Sequence, residues 1–138
     1  MYYQCHSGPH HRWYQDSWRH DSGFEAGFGV RRPLRFLAYK LDLDEAQMTR
    51  LAQVLDQLKT DRAQAAVDDR RTLSAFAEAA ETDTFDEGKA REGAAARVKS
   101  AEALARSVVT ALGQIHAMLR PDQRSRLAYL IRTGALQL

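Results

Sequence analysis

Residues 44–80 form a run without proline or glycine, and this run constrains the fold more than any other feature of the sequence. Apolar residues recur along it at the three- and four-residue spacing of one helix face: Met48, Leu51, Leu55 and Leu58, then Ala65, Ala66, Leu73, Phe76 and Ala80. At 1.5 Å per residue, the run predicts a helix about 55 Å long. That length exceeds the usual length of a helix in a globular protein.

A capping pattern marks the start of this long helix. Asp44 is a favourable N-cap, and Gln47 stands three residues later, at the position of a capping-box partner. Glu45 adds a negative charge in the first turn, which the helix dipole favours. Between residues 61 and 71 the apolar stripe thins to alanine among many charges. We therefore expect this part to be an arm that is open to solvent or to a second subunit.

A polar turn and a second long helix are predicted over residues 81–119. Asp83 or Thr84 is the expected N-cap, and Gly88 and Gly93 weaken the first turns by up to about 1 kcal/mol each relative to alanine. Beyond them, spacings of four and three residues alternate along one seam: Ala94, Val98, Ala101, Ala105, Val108, Leu112, Ile115 and Leu119. A heptad seam requires a facing helix. We predict that this seam packs against the first long helix in an antiparallel hairpin.

Short amphipathic helices are predicted on either side of the hairpin, at residues 32–41 and 121–134. Pro33 and Pro121 suit the first turn of each helix, because the missing N–H has no partner to lose there. The apolar faces are formed by Val30, Leu34, Leu37, Ala38 and Leu41 in the first helix and by Leu127, Leu130 and Ile131 in the last. Gly134 is the expected C-terminal stop of the last helix.

The first short helix also has a basic side, formed by Arg31, Arg32, Arg35 and Lys40. A basic amphipathic helix can contact an anionic membrane surface or an acidic partner. The preferred interpretation is a solvated face on a docked helix. A helix of this length is not stable alone in water, so we expect it to pack on the hairpin.

The composition agrees with one all-α domain of four helices at residues 31–138. Hydrophobic residues make up 44% and charged residues 28% of the chain, as in ordinary soluble proteins. The formal net charge of +2, with acids and bases interspersed, argues against a nucleic-acid partner. No apolar stretch is long enough to span a bilayer, and no secretory signal is recognisable. The chain as written is therefore predicted to be cytoplasmic.

Residues 1–30, rich in glycine, histidine and aromatic residues, are predicted to be a flexible tail. Thiolate and imidazole groups favour Zn, Cu or Ni, so the candidate metal ligands of the tail are Cys5, His6, His10, His11 and His20. The alternative is a tail whose histidines bind nothing. His116, near the end of the second long helix, is interpreted as a helix-terminal histidine favoured by the dipole, in preference to a metal ligand paired with Met118 or with a histidine of the tail. No cofactor is predicted to be required.

Two five-residue motifs precede the first long helix and the last helix: Leu43–Asp44–Glu45–Ala46–Gln47 and Leu119–Arg120–Pro121–Asp122–Gln123. In this pair the chain resembles the Spy/CpxP family of small bacterial stress proteins, which is known for two LTXXQ motifs and includes ZraP- and CnrX-like members linked to metals. Asp44 and Arg120 stand where the family has threonine. An aspartate side chain can cap a helix, whereas an arginine side chain cannot.

The resemblance implies a four-helix, all-α fold, a cradle-shaped antiparallel homodimer, and ATP-independent binding of unfolded or partner protein, or else sensing of a metal. It also implies a periplasmic location, which differs from the location predicted above. The metal ligands of the sensing members are not reproduced in this sequence. No ligand residue is therefore carried over from the family.

Two functions follow from these observations. The first is a non-enzymatic chaperone, with cationic and apolar side chains that bind clients at Arg62, Arg70, Arg71, Leu73 and Phe76. The alternative interpretation is that these arginines pair with Asp61, Asp68 and Asp69. The second function is a transition-metal sensor or buffer that uses the tail. Catalysis is not expected, because the sequence has no Ser/His/Asp arrangement, no glycine-rich phosphate loop and no paired metal-ligand motif.

Overall fold

The structure, a computed structural model, describes residues 31–138. In that range the chain forms four α-helices and no strand: α1 (Arg31–Leu41), α2 (Glu45–Glu81), α3 (Glu87–Met118) and α4 (Pro121–Arg132). The predicted all-α, four-helix fold with a long hairpin is confirmed. The tail predicted at residues 1–30 lies outside the described residues.

The start of α2 has the predicted capping box. Asp44 Oδ1 accepts a hydrogen bond from the Gln47 N–H at 2.8 Å, and Gln47 Oε1 accepts one from the Asp44 N–H at 3.1 Å. Two backbone donors that a helix start leaves unpaired are thereby satisfied. The helix continues for 37 residues, which corresponds to about 55 Å.

The N-cap of α3 is Asp86, so the prediction of Asp83 or Thr84 is wrong. The Asp86 side chain accepts a hydrogen bond from the Lys89 N–H at 3.0 Å. The residues before it form the turn, in which Thr82 Oγ1 donates to the Thr84 carbonyl at 2.6 Å. Several Asp and Thr residues in this segment can cap a helix. Thr82 and Thr84 form the turn, and Asp86 is the residue that caps α3.

The apolar core lies at one end of the hairpin, which we call the base. There the start of α2 and the end of α3 meet α1 and α4. The buried side chains of this core are Leu37, Leu41, Leu51, Ile115, Leu119, Leu127 and Leu130. At about 1.5–3 kcal/mol for each fully buried side chain of this size, the base is the main source of apolar stabilisation.

The two short helices dock by the predicted faces, since Leu37 and Leu41 of α1 and Leu127 and Leu130 of α4 are buried in the base. Val30, predicted on the same face of α1, lies outside the described residues. No helix in the described part of the chain is long and apolar enough to cross a membrane.

The end of α4 comes two residues before the predicted one. The helix finishes at Arg132, and Gly134 has a φ of 73°, a conformation that glycine adopts without strain. The Gly134 N–H donates to the Ile131 carbonyl at 3.1 Å. Gly134 therefore stops the helix as predicted.

The hairpin is antiparallel as predicted, but α3 packs on α2 through a different face. The line of α3 that faces α2 runs through five buried or half-buried residues: Gly93, Ser100, Leu104, Ser107 and Ala111. The predicted seam lies one residue further on, which is about 100° around the helix. Of that seam, Ala94, Val98, Ala101 and Ala105 are exposed and Val108 and Leu112 are half-buried. Ile115 and Leu119 are buried in the base core.

The distal part of the hairpin, residues 59–110, which we call the arm, is joined by small and polar side chains. A Cβ atom at Gly93 would lie 3.1 Å from Ala75 Cβ and 3.2 Å from the Phe76 ring. Thr72 Oγ1 lies 3.4 Å from the carbonyl oxygen of Gly93. Gly93, which was expected only to weaken the start of α3, is therefore a place where the two helices approach each other closely.

The predicted apolar face of α2 holds in the base and changes in the arm. Leu51 and Leu58 are buried as predicted. In the arm, Leu73 is 52% exposed, whereas Thr72 and Ala79 are buried. The seam of α2 is therefore shifted by one residue in the same direction as the seam of α3.

Candidate functional site

The final glutamines of the two motifs, Gln47 and Gln123, pair with each other inside the base. Gln47 Nε2 donates to Gln123 Oε1 at 2.8 Å, and Gln123 Nε2 donates to Gln47 Oε1 at 3.1 Å. Both side chains are buried, and Gln123 has no exposed surface. The start of α2 and the start of α4 are thus joined by a cyclic pair of amides.

The second N–H of each amide reaches a backbone carbonyl of the opposite turn. Gln47 Nε2 donates to the Met118 carbonyl at 2.8 Å, and Gln123 Nε2 donates to the Asp42 carbonyl at 3.0 Å. Asp42 has a φ of 53°, a left-handed conformation that Asp tolerates better than most residues. Sequence reasoning missed Asp42 and Met118, because both act through backbone atoms.

The carbonyl oxygens of the two amides also cap their own helices. Gln47 Oε1 accepts from the Asp44 N–H, as described above, and Gln123 Oε1 accepts from the Arg120 N–H at 2.9 Å. Arg120 has no acceptor to return the hydrogen bond, so the box at α4 is half complete. Each amide nevertheless uses both N–H groups and both carbonyl lone pairs.

The remaining motif residues support the same junction. Leu119 is buried in the base core, Leu43 packs against it, and Pro121 is the first residue of α4. Within residues 31–138, no buried polar side-chain atom lacks a hydrogen-bond partner. The junction consists of neutral, fully paired amides, and this chemistry fixes geometry without providing a nucleophile, an acid or a base.

A line of exposed apolar side chains lies on the side of the hairpin where α1 and α4 pack, which we call the inner flank. Ile115 and Leu119 contact the short helices there. At 3.6 residues per turn their line continues along the arm. It passes through four exposed residues, which we call the α3 stripe: Ala94, Val98, Ala101 and Ala105.

The corresponding line on α2 starts at Leu55, which packs against the base core, and continues through Arg62, Ala66 and Leu73. Arg97 shows that the two lines share a flank. Its guanidinium binds Asp69 and lies 5.8 Å from the centroid of the Phe76 ring. Asp69 and Phe76 lie between the seam and Leu73, so the exposed line of α2 and the α3 stripe face the same way.

The structure brings together only part of the predicted client surface. Arg62 and Leu73 are exposed on the inner flank, and Arg70 is exposed beside them. Arg71 lies on the opposite side of α2, and its Nη1 is 3.9 Å from an Asp68 oxygen. Phe76 is half-buried in the hairpin.

Three carboxylates of α2 bind α3 across the arm. Asp68 Oδ2 accepts from Ser100 Oγ at 2.9 Å, and Asp69 Oδ1 accepts from Arg97 Nε at 3.0 Å. Nearer the turn, Glu78 forms an ion pair with Lys89. The hydrogen bond and the positive charge of Lys89 lower the pKa of Glu78, and the same contact raises the pKa of Lys89.

The opposite side of the hairpin, the outer flank, has a shallow groove of about 270 Å³. Its floor includes Leu58 and Ala111, and its rim includes Asp61, Arg106 and Gln114. It also contains Ala103, an exposed residue two positions from Ala101 of the α3 stripe. The groove is open and polar at its edges.

The predicted metal ligands Cys5, His6, His10, His11 and His20 lie outside the described residues. In residues 31–138, no three Cys, His, Asp or Glu side chains are grouped closely enough to hold a metal ion. His116 is exposed, and its backbone carbonyl accepts a hydrogen bond from Arg124 Nε at 3.1 Å.

Comparison with known proteins agrees with the paired motifs. The model of the LTXXQ motif family matches residues 30–130, a range that includes both glutamine turns and all of the hairpin. No curated protein and no solved structure matches the chain. The match covers well over half of the sequence, and the chain therefore belongs to the LTXXQ motif family, the Spy/CpxP-type proteins.

Proposed function

We propose that this protein is a non-enzymatic, ATP-independent chaperone that binds unfolded or partner proteins on the inner flank and works as an antiparallel homodimer. The observation that supports client binding is the exposed Leu73 of α2, and the observation that supports the homodimer is the α3 stripe. It is an apolar heptad line that the fold leaves uncovered along the arm, with Val98 59% exposed. Exposed apolar surface with a polar rim is typical of a protein-binding site.

The client surface is placed on the α2 side of the inner flank. Leu73 is 52% exposed, and the guanidinium groups of Arg62 and Arg70 are exposed nearby. An unfolded chain presents apolar side chains together with carboxylates and backbone carbonyls. A surface that combines a leucine with arginines can bind both kinds of group without recognising a sequence.

The α3 side of the inner flank is placed at the subunit interface. A heptad line of alanine and valine permits close approach of a second helix. The ends of the molecule also differ in charge: residues 78–92 have six carboxylates and two cations, whereas α1 and α4 together have seven cations and one carboxylate. Antiparallel pairing of two copies brings each acidic turn towards the basic base of the other copy, which favours that orientation.

The client proposal is tested by aggregation of a chemically denatured client protein, measured by light scattering without nucleotide. The unmodified protein should suppress aggregation near stoichiometric ratio. Leu73→Asp should abolish most of this effect, and the matched control is Val67→Asp. Val67 is a 36% exposed apolar residue on another side of α2. Equal suppression by the two variants, or none by the unmodified protein in several-fold excess, would contradict the proposal.

A second candidate function, a Zn, Cu or Ni sensor or buffer, rests on the Cys and His side chains of residues 1–30. Both tryptophans of the chain, Trp13 and Trp18, lie among these ligands. Cu or Ni should therefore quench the tryptophan fluorescence at micromolar concentration. Substitution of the four tail histidines by alanine should remove the quenching and leave the helical circular dichroism unchanged. A flat titration of the unmodified protein with Cu and Ni, together with no binding of Zn by calorimetry at the same concentrations, excludes this function.

A further inference from the structure

The cross-helix contacts of the arm have a consistent polarity. The carboxylates Asp68, Asp69 and Glu78 all belong to α2, and the groups that bind them from across the arm all belong to α3. Within α2, Gln64 and Ser74 also donate to Asp68 and Glu78. The three contacts are spaced along the arm from its middle to the turn. They therefore hold α3 against α2 at two levels of the hairpin, because Asp68 and Asp69 are adjacent and Glu78 lies about 14 Å nearer the turn.

Apolar packing contributes little at these levels. The fully buried residues of the arm are Thr72, Ala79 and Gly93. None of them has a side chain larger than threonine, whereas the base buries six leucines and one isoleucine. Since apolar stabilisation scales with the area removed from water, the arm depends on its polar contacts more than the base does.

We propose that the Asp68–Ser100, Asp69–Arg97 and Glu78–Lys89 contacts form an ionic clasp that controls opening of the arm. High ionic strength, or removal of the carboxylate charges, releases the first part of α3 from α2, while the base stays folded. The clasp regulates the inner flank that the proposed function uses. Opening of the arm can be measured without any client. A failure of the clasp proposal is therefore distinguishable from a failure of the proposed function.

The charged groups around the clasp come from α2 and α3, the two helices packed in the arm. Lys89 faces Glu78 and is also influenced by Asp86 and Glu92 of its own helix. Arg97 faces Asp69. Arg71 lies 3.9 Å from Asp68, so a cation remains beside that carboxylate when Ser100 leaves.

Opening of the clasp uncovers apolar surface next to Leu73. The Phe76 ring is half-buried beneath Arg97 and beside Gly93, and Ala79 is fully buried. Loss of the Asp69–Arg97 pair frees the guanidinium that covers the ring. The inner flank then gains an aromatic side chain, the kind of group that binds apolar segments most strongly.

The test is amide hydrogen exchange of the full chain at neutral pH. Protection is compared between residues 87–98, at the start of α3, and residues 112–118, at its end. The variant Asp69→Asn/Glu78→Gln removes two of the carboxylate charges and nearly preserves the size of both side chains. The control Glu81→Gln/Asp83→Asn makes the same change in net charge at two exposed carboxylates, one at the end of α2 and one in the turn.

The clasp variant should lose about two- to fivefold protection per contact at residues 87–98, and residues 112–118 should keep theirs. The control should resemble the unmodified protein. The unmodified protein in about 1 M salt should approach the clasp variant, because the screening length falls to about 3 Å. Unchanged protection at residues 87–98 under both treatments, or equal loss at residues 112–118, overturns the proposal.

A charge exchange separates the ion pair from other effects of substitution. Asp69→Arg places two cations together and should open the arm. The double variant Asp69→Arg/Arg97→Asp restores an opposite-charge pair with reversed polarity and should recover most of the protection at residues 87–98. Failure to recover any protection would show that the pairing of charges does not control opening.

Discussion

Gln47 and Gln123, which are 76 positions apart in the chain, donate to each other's side-chain oxygens at 2.8 and 3.1 Å. The two sequence motifs of the family are therefore two halves of one hydrogen-bonded junction. The outer atoms of the junction are backbone groups of Asp42, Met118 and the two N-caps. This arrangement explains why glutamine ends both motifs: its amide provides two donors and two acceptors, and all of them are used.

The first prediction concerns this junction. Gln123→Leu removes the partner of the Gln47 amide and leaves the Arg120 N–H and the Asp42 carbonyl without their side-chain contacts. Each buried polar group left without a partner costs about 1–3 kcal/mol. We expect the free energy of unfolding, measured by urea denaturation, to fall by about 2 kcal/mol or more.

Gln114→Leu is the matched control for that variant, because Gln114 is an exposed glutamine of α3. Its substitution should change the free energy of unfolding by no more than about 0.5 kcal/mol. A similar effect of the two substitutions would mean that the amide pair is not a stabilising feature of the base.

The second prediction compares two glycines of α3. A larger side chain at Gly93 meets Ala75 and Phe76, since a Cβ atom alone lies 3.1 Å from Ala75 Cβ. Gly93→Val should therefore destabilise the protein by about 1–3 kcal/mol through overpacking. Gly113 has open space around its Cβ position among the described residues. Gly113→Ala should stabilise the protein by up to about 1 kcal/mol through helix propensity. In thermal unfolding, a lower Tm for Gly93→Val and a higher Tm for Gly113→Ala would support the described packing of α3 on α2.

The third prediction concerns pH. The pKa of Glu78 is lowered by Lys89 in the folded protein, so its contribution to stability is present above the ordinary value of 4.5 and is lost as pH falls through the lowered pKa. The pKa of Lys89 is raised by Glu78, so that contribution is present below 10.5 and is lost as pH rises through the raised pKa.

The difference in Tm between the unmodified protein and Glu78→Gln should therefore be greatest between pH 4.5 and 10.5 and should shrink on both sides of that range. Because both side chains are exposed, added salt should reduce the difference. A difference that is the same at all pH values and salt concentrations would indicate that the ion pair makes no contribution.

The fourth prediction concerns the proposed dimer. Ala101→Asp places a carboxylate in the middle of the α3 stripe, whereas Ala103→Asp places one on the outer flank. Sedimentation should show a dimer for the unmodified protein and for Ala103→Asp, and a monomer for Ala101→Asp. The same mass for both variants would remove the α3 stripe as the subunit interface.

The positions of the helices could be predicted from local signals. These signals are the run of residues 44–80 without proline or glycine, the Asp44–Gln47 box and the prolines at the starts of the short helices. Each signal depends on residues that are close together in the sequence and on no distant contact. The apolar faces of α1 and α4 were also predicted, because each short helix has one apolar side and one place to dock.

The packing of α3 could not be predicted in the same way. Periodicity identified the most apolar line of the helix, but it did not identify what covers that line. Ser100 and Gly93 form the seam because Asp68 and Thr72 of the facing helix provide matching polar groups. That match depends on residues more than 20 positions away, and an apolar residue such as Val98 is left exposed.

The concentration of the large buried side chains at the base has a further consequence. Arm length and core composition are separate variables in this architecture. Matched deletion of seven residues from each rod of the hairpin would shorten the reach of the molecule by about 10 Å and would preserve helical phase to within about 20°. The length of the arm can therefore change, in evolution or by protein engineering, without changes to the apolar core of the base that stabilises the fold.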